Sequence, residues 1–325
     1  MPKFAAALVV SSLLRLRPAA ADGSATERAT CRADGDCAAP AQRDHLLLQV
    51  ATPNATVALA QGRRGFWNPS SHISGSGQWC VAHAPADWAN HCDLGAHEVK
   101  VLTYNLYWWN LYGSHFRNGN GGSAGHLIAS SGGDKPYDFM GFQECEDVGR
   151  VLREAGLETT HEGIVGDHAC AIAYNKATWT MLENGMDEVG EDRADQWWGT
   201  RGAQWARFKH TSKGRTVFVV NHHGPLPVGT GGLCGPQATA WNILKAIGTH
   251  AKKDDAVIVV GDFNADAGTA TAAELGRRLH RVFTGASFGG VDHVFSSCGG
   301  DRVVSKRNLG AGGSDHDALE VVLRV

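Results

Sequence analysis

The chain has 325 residues, 43% hydrophobic and 19% charged, with a formal net charge of −3. That length can bury one large core plus a small appendage. The charge balance excludes a global basic field for holding a polyanion, so any nucleic-acid binding would rest on a local basic patch.

Lys3 precedes the apolar stretch Ala5–Leu14, and Ala19-Ala20-Ala21 before Asp22 fits an A-x-A cleavage site. Residues 1–21 are therefore read as a signal peptide, too short in its apolar part to span a bilayer as a helix. Arg15 and Arg17, with no acid before Asp22, leave an organelle transit peptide as the alternative. Cleavage after Ala21 removes Lys3, Arg15 and Arg17 and takes the formal charge from −3 to −6.

Residues 22–95 mix Ala, Pro, Ser and Gly with Trp67, Trp79 and Trp88 and show one convincing strand, His45–Val50. They read as a disulfide-containing extension packed on a main domain, with a propeptide or a tryptophan-based binding module as alternatives. The eight cysteines, four of them (Cys31, Cys37, Cys80, Cys92) in this region, favour disulfides in an oxidising compartment. Zinc is disfavoured, because no C-x-x-C or H-x-x-x-H spacing occurs. Loop closure makes Cys31–Cys37 and Cys80–Cys92 the least costly pairs. Asn54-Ala55-Thr56 is a glycosylation sequon, whereas Asn68-Pro69-Ser70 is blocked by its proline.

Residues 96–325 form the main domain. Period-two patterning predicts a strand from Val99 to Asn105. Further strands are predicted at Phe139–Phe142, Ala171–Tyr174, Thr216–Val220, Ala256–Val260, Val291–Phe295 and Leu319–Leu323. VFVV and VIVV lack polar alternation and are expected to be buried on both faces. Helices are predicted over Asp147–Ala155, over Pro236–Ala251 with Gly235 and Pro236 at its start, and over Thr271–His280. Arg117–Gly133, dense in Gly and Ser, is expected to be a long surface loop near the site. It contains a G-x-S-x-G match at Gly121–Gly125, but no apolar strand precedes it, as a serine-hydrolase elbow would need. Central buried strands with covering helices indicate a layered α/β sandwich.

Nearly every chemistry-bearing residue follows a short apolar run: Asn105, Gln143-Glu144, His223, Asp262 and Asn264, Asp292, and Asp315-His316. Glu144 offers a hard anionic oxygen suited to Mg2+, Mn2+ or Ca2+, Asn105 a neutral one, and Asp315 could complete the shell. Asp262 and Asn264, two apart, project the same way if their strand continues and can orient a water and a phosphate oxygen. His223 and His316 can donate to phosphoryl oxygens or move protons near neutral pH, and Asp292 can hold the His316 imidazole in one tautomer. Arg201 and Arg207 offer planar donors to phosphate.

The set LTYN, YDFMGFQE, NHH, GDFN, VDHVF and SDH, in that order from Val99 to Val325, resembles the endonuclease/exonuclease/phosphatase superfamily with its deoxyribonuclease I-like fold. The resemblance implies a four-layer α/β/β/α sandwich, metal ligation by Asn105 and Glu144 with Asp315 near the same ion, and a catalytic pair His223 and His316 supported by Asp292. It also implies a water-orienting or phosphate-binding role for Asp262 and Asn264, and phosphate binding by Arg201, Asn264 and His223. His222 is expected on the opposite strand face. Pancreatic-type deoxyribonucleases pair the first histidine with a glutamate on the strand after Gln-Glu; here that stretch offers Asp167 and His168. Family members cleave DNA, RNA, sphingomyelin and inositol phosphates on one core. The reading is thus a secreted, metal-dependent phosphodiesterase acting as a monomer on nucleic acid or a lipid headgroup. The alternatives are a phosphomonoesterase, such as an inositol-phosphate phosphatase, and a non-catalytic binding protein.

Overall fold

The computed structural model describes residues 77–88, 92, 97–111, 121–194, 196 and 199–325, within a compact unit spanning Arg64–Val325. The signal peptide, the strand expected at His45–Val50, the Asn54 sequon, Trp67, Cys31 and Cys37 lie outside the described residues.

Twelve strands in the described residues form two six-stranded sheets. They are β1 (Glu98–Asn105), β2 (Phe139–Gln143), β3 (His161–Val165), β4 (Ala171–Asn175), β5 (Trp179–Glu191), β6 (Thr200–His210), β7 (Thr216–His223), β8 (Asp255–Asp262), β9 (His280–Thr284), β10 (Asp292–Ser296), β11 (Val303–Asn308) and β12 (Leu319–Arg324). One sheet runs β11-β12-β1-β2-β4-β3 and the other β5-β6-β7-β8-β10-β9. Each has one parallel pair at its centre, β1 with β2 and β7 with β8. The helices are α1 (Trp108–Leu111), α2 (Gly121–Gly132), α3 (Val148–Glu154), α4 (Pro236–His250) and α5 (Ala270–Leu275).

Alternation along the central strands explains the layers. Val99 and Val101 meet Val217, Val219, Ile258 and Val260 between the sheets. Leu102 and Tyr104 point outward into a cluster with Ala124, Ile128, Val151 and Leu152 of α2 and α3. Phe218, Val220, Val257 and Val259 do the same under Ile243, Leu244 and Ile247 of α4. The runs VFVV and VIVV are therefore buried on both faces, each large side chain contributing about 1.5–3 kcal/mol. The result is the four-layer α/β/β/α sandwich.

Three local expectations are corrected. The segment expected as loop through Gly133 holds α2, and one of its glycines serves packing: a Cβ at Gly125 would lie 2.7 Å from the Glu154 backbone. The helix expected to reach His280 stops at Leu275, and His280 opens β9. The short-range disulfide Cys80–Cys92 does not form; Cys80 joins Cys234 and Cys92 joins Cys298. Closure cost grows only logarithmically with loop length, so the path of the segment before β1 across the second sheet decides the pairing. Trp79 is buried there, and Asn242 of α4 donates to its carbonyl.

Candidate active site

The site forms where parallel neighbours end together. Asn105 pairs in register with Gln143, and Asp262 pairs with His223 on one side and Asp292 on the other. Two sheet ends, apposed through the sandwich, thus deliver most of the expected residues to one place. An amide bridge fixes that apposition: Gln143 Nε2 donates to Asn221 Oδ1 at 2.6 Å, and Asn221 Nδ2 donates to the carbonyls of Phe142 and Ala171.

Asp262 is the hub. Its Oδ2 accepts from Asn105 Nδ2 at 3.0 Å and lies 3.6 Å from His223 Nε2 and 3.5 Å from His316 Nε2. Its Oδ1 accepts from the backbone N–H of Asn264 at 2.8 Å. The strand does not continue to Asn264, as expected for a shared projection; it ends at Asp262, and Asn264 turns left-handed (φ 47°). The Asn264 side chain then donates to the Gly224 carbonyl at 2.9 Å, clasping the turn after His223. A Cβ at Gly224 would overlap the Phe263 carbonyl, so this crossing of two loops needs glycine.

His316 arrives from the loop before β12. Ser314 Oγ donates to the Asn105 carbonyl at 2.7 Å and accepts from the His316 N–H, tying that loop to the end of β1. His316 Nδ1 lies 3.0 and 3.1 Å from the two Asp292 oxygens, and the Phe288 ring packs 4.7 Å from the imidazole. Burial works against charge on His316, but Asp262 and Asp292 outweigh it and raise the imidazole to about 10. Burial likewise opposes the Asp262 anion, yet His316 and His223 hold it below the usual carboxylate range. His223 is pushed the other way, down, by burial and the Arg201 cation.

Glu144 sits in a left-handed turn after β2 (φ 50°) that aims its carboxylate at the same place. Burial, then the nearby Asp315 and Asp262 charges, raise it to about 7, with His316 opposing. Carboxylates converging with so little compensating positive charge form a donor set that suits a hard divalent cation. Glu144 and the exposed Asp315, whose charge acts on it, are the carboxylates that could hold one. Asn105 turns its amide nitrogen toward Glu144 (3.4 Å) and Asp262, while its Oδ1 accepts from the Tyr107 N–H, so ligation through oxygen would need the amide turned over. A second grouping, Asp262, Asp292 and His316, brings three donor atoms within 4.8 Å of one another. Its His316–Asp292 distances are those of a hydrogen-bonded dyad.

Arg201 is buried, with Nε and Nη2 on the Asp192 carboxylate at 2.9 and 3.0 Å and Nη1 3.3 Å from His223 Nδ1. Arg207 is tied to Asp255 at the opposite end of the sheet. His222 packs on the other strand face, against Phe263, with Nδ1 on the Gly202 carbonyl. His168 faces Glu188 at 3.6 Å and Asp167 is exposed, while the group beside His223 Nδ1 is Arg201. Sequence reasoning overlooked Asp192, Asn221, Ser314 and Phe288. Asn221 and Ser314 lay inside the NHH and SDH motifs, whereas nothing in the sequence marked Asp192 or Phe288.

The Endonuclease/Exonuclease/phosphatase family profile matches residues 107–316. Among solved structures, a Bacteroides thetaiotaomicron mannosyl-6-phosphatase is similar at 21% identity and TM-score 0.56, over 70% of this chain and 99% of that one. The human Nocturnin catalytic domain with bound sulfate anion aligns at 15% and 0.52, over 70% and 94%. Truncated Caenorhabditis elegans TDP2 aligns at 16% and 0.51, over 72% and 100%. At these identities the likeness is one of fold. No curated protein matches the sequence significantly. Members of the matched family are hydrolases of phosphate esters that generally use divalent metals. Since the profile covers well over half of the chain and takes in Glu144, His223, Asp262, Asp292 and His316, this protein belongs to the Endonuclease/Exonuclease/phosphatase family.

Proposed function

We propose that the chain is a secreted, divalent-metal-dependent phosphodiesterase. The observation that carries the reading is Asp262, an anion held between two histidines, beside the His316–Asp292 dyad. Asp262, fixed by Asn105 and Asn264, accepts a hydrogen bond from an attacking water and takes its proton. His316, cationic at neutral pH, donates Nε2–H to a phosphoryl oxygen where negative charge grows. Glu144 and Asp315 would hold a divalent cation, Mg2+ or else Mn2+ or Ca2+, which when bound would supply further positive charge for the phosphoryl group.

The cations that the site carboxylates face are His316 and Arg201, and Arg201 is already matched by Asp192. Even with one divalent cation added, that side-chain supply suits a singly charged diester better than a dianionic monoester. Two disulfides joining distant elements support an oxidising compartment.

The test is a panel of DNA, RNA, sphingomyelin, bis(p-nitrophenyl) phosphate and inositol phosphates, each with magnesium and with chelator. Diester hydrolysis abolished by chelator is the expected result. Preferential release from monoesters would assign the chain to the phosphatases, and no turnover on any substrate would favour the binding protein.

A further inference from the structure

In the pancreatic-type pattern a carboxylate accompanies the first histidine; here a guanidinium stands beside it. We propose that Arg201, fixed by Asp192, is a positioning residue that locks His223 as the neutral tautomer with its proton on Nε2, directed at Asp262. The inference deepens the phosphoesterase reading above and rests on it for its kinetic part.

The argument is one of donor and acceptor. Arg201 and Asp192 have side chains only 6% and 0% exposed, and two guanidinium nitrogens are spent on the two carboxylate oxygens. Nη1, the remaining nitrogen, lies 3.3 Å from His223 Nδ1. A guanidinium has no acceptor and does not give up its proton in a protein. Nδ1 must therefore accept, which leaves the imidazole proton on Nε2, 3.6 Å from Asp262 Oδ2. A carboxylate partner would impose the opposite tautomer, with Nε2 free to take a proton. In this chain His223 can donate to Asp262 or to a phosphoryl oxygen, and the base role falls to Asp262.

The rest of the network serves the same end. Asp192 Oδ1 also accepts from the Leu226 N–H at 2.7 Å, and the Arg193 N–H donates to the Leu226 carbonyl. The chain leaving His223 is thereby folded back onto the group that orients its ring. Arg193 Nε donates to the Gly232 carbonyl, and neighbouring Cys234 is bonded to Cys80, so the clamp is anchored outside the site.

The test uses the full chain with 15N-labelled histidine. Long-range 1H–15N correlation is expected to show His223 with an unprotonated Nδ1 and a protonated Nε2, and Arg201→Met to mix the two tautomers. On whichever ester the wild type turns over, Arg201→Met is expected to lower kcat about 100-fold with KM changed less than threefold, and Arg201→Lys to restore part of it. If Arg201→Met does not fold, Asp192→Asn is the second variant, with tautomer mixing again expected. A protonated Nδ1 in the wild type would overturn the proposal. So would a variant that raises KM alone, which would make Arg201 a phosphate ligand. The tautomer readout needs no turnover, so an inactive wild type would defeat the phosphoesterase reading and leave the tautomer lock to be decided by the spectrum.

Discussion

Burial disfavours charge on two histidines of this fold, but their neighbours carry them to opposite ends of the scale. His293 has Nδ1 3.0 Å from Thr284 Oγ1 and Nε2 2.8 Å from the Ala265 carbonyl, and burial lowers it to about 4. His316 is as deeply placed but faces Asp262 and Asp292, which carry it to about 10. A folded value below the unfolded 6.5 means that the unfolded chain binds the extra proton first. Stability from His293 is thus complete above 6.5 and falls as pH drops toward 4, by up to about 3 kcal/mol. His293→Gln is expected to flatten the slope of Tm against pH in that window; an unchanged slope would show that His293 is not the source. At this scale the sequence displayed the candidate groups because they sit at strand ends: Asn105, Glu144, His223 and Asp262 where strands finish, Asp292 where β10 starts, and His316 in the loop before β12. It concealed their supports: that Arg201 would meet Asp192 depends on the register of β5 against β6, two strands whose polar residues hid them.

Elements were legible where burial is two-sided. β1, β2, β4, β7, β8, β10 and β12 stand out as apolar runs, and all occupy interior positions. The four sheet edges, β3, β5, β9 and β11, went unread because edge strands carry polar and charged residues, as Glu183, Asp187 and Glu188 in β5 and Lys306 and Arg307 in β11. β6 was missed for a related reason, its polar Arg201, Gln204, Arg207 and Lys209 masking a central strand. Helix α2 shows that glycine has two meanings. Ala124 and Ile128 give it a buried face, and Gly125 lets that face press against the end of α3. Gly125→Ala is expected to destabilise the protein by about 1–3 kcal/mol through overpacking, despite better helix propensity. A denaturation midpoint equal to or above wild type would refute the close-packing account.

Over the whole molecule, two disulfides fasten the segment before β1 to the second sheet across sequence separations of 154 and 206 residues. Loops of that size place each bond at the upper part of the usual 2–4 kcal/mol range. Replacing Cys80 and Cys234 together by Ser is expected to cost about 3 kcal/mol in unfolding free energy, and an unchanged midpoint would show that the bond constrains little. The layered fold was legible as a whole because buried strands and covering helices alternate along the chain, while the disulfide partners were not, since they depend on how the finished layers meet. That same meeting of layers makes the site: one sheet brings Asn105, Glu144 and the loop with His316, and the other brings His223, Asp262 and Asp292. The claim that this junction breaks phosphate esters is tested most directly by the rate of bis(p-nitrophenyl) phosphate hydrolysis with magnesium, wild type against His316→Gln. The account predicts a wild-type rate abolished by chelator and lowered by about 100-fold or more in the variant. Undiminished turnover in His316→Gln, or in excess chelator, would contradict it.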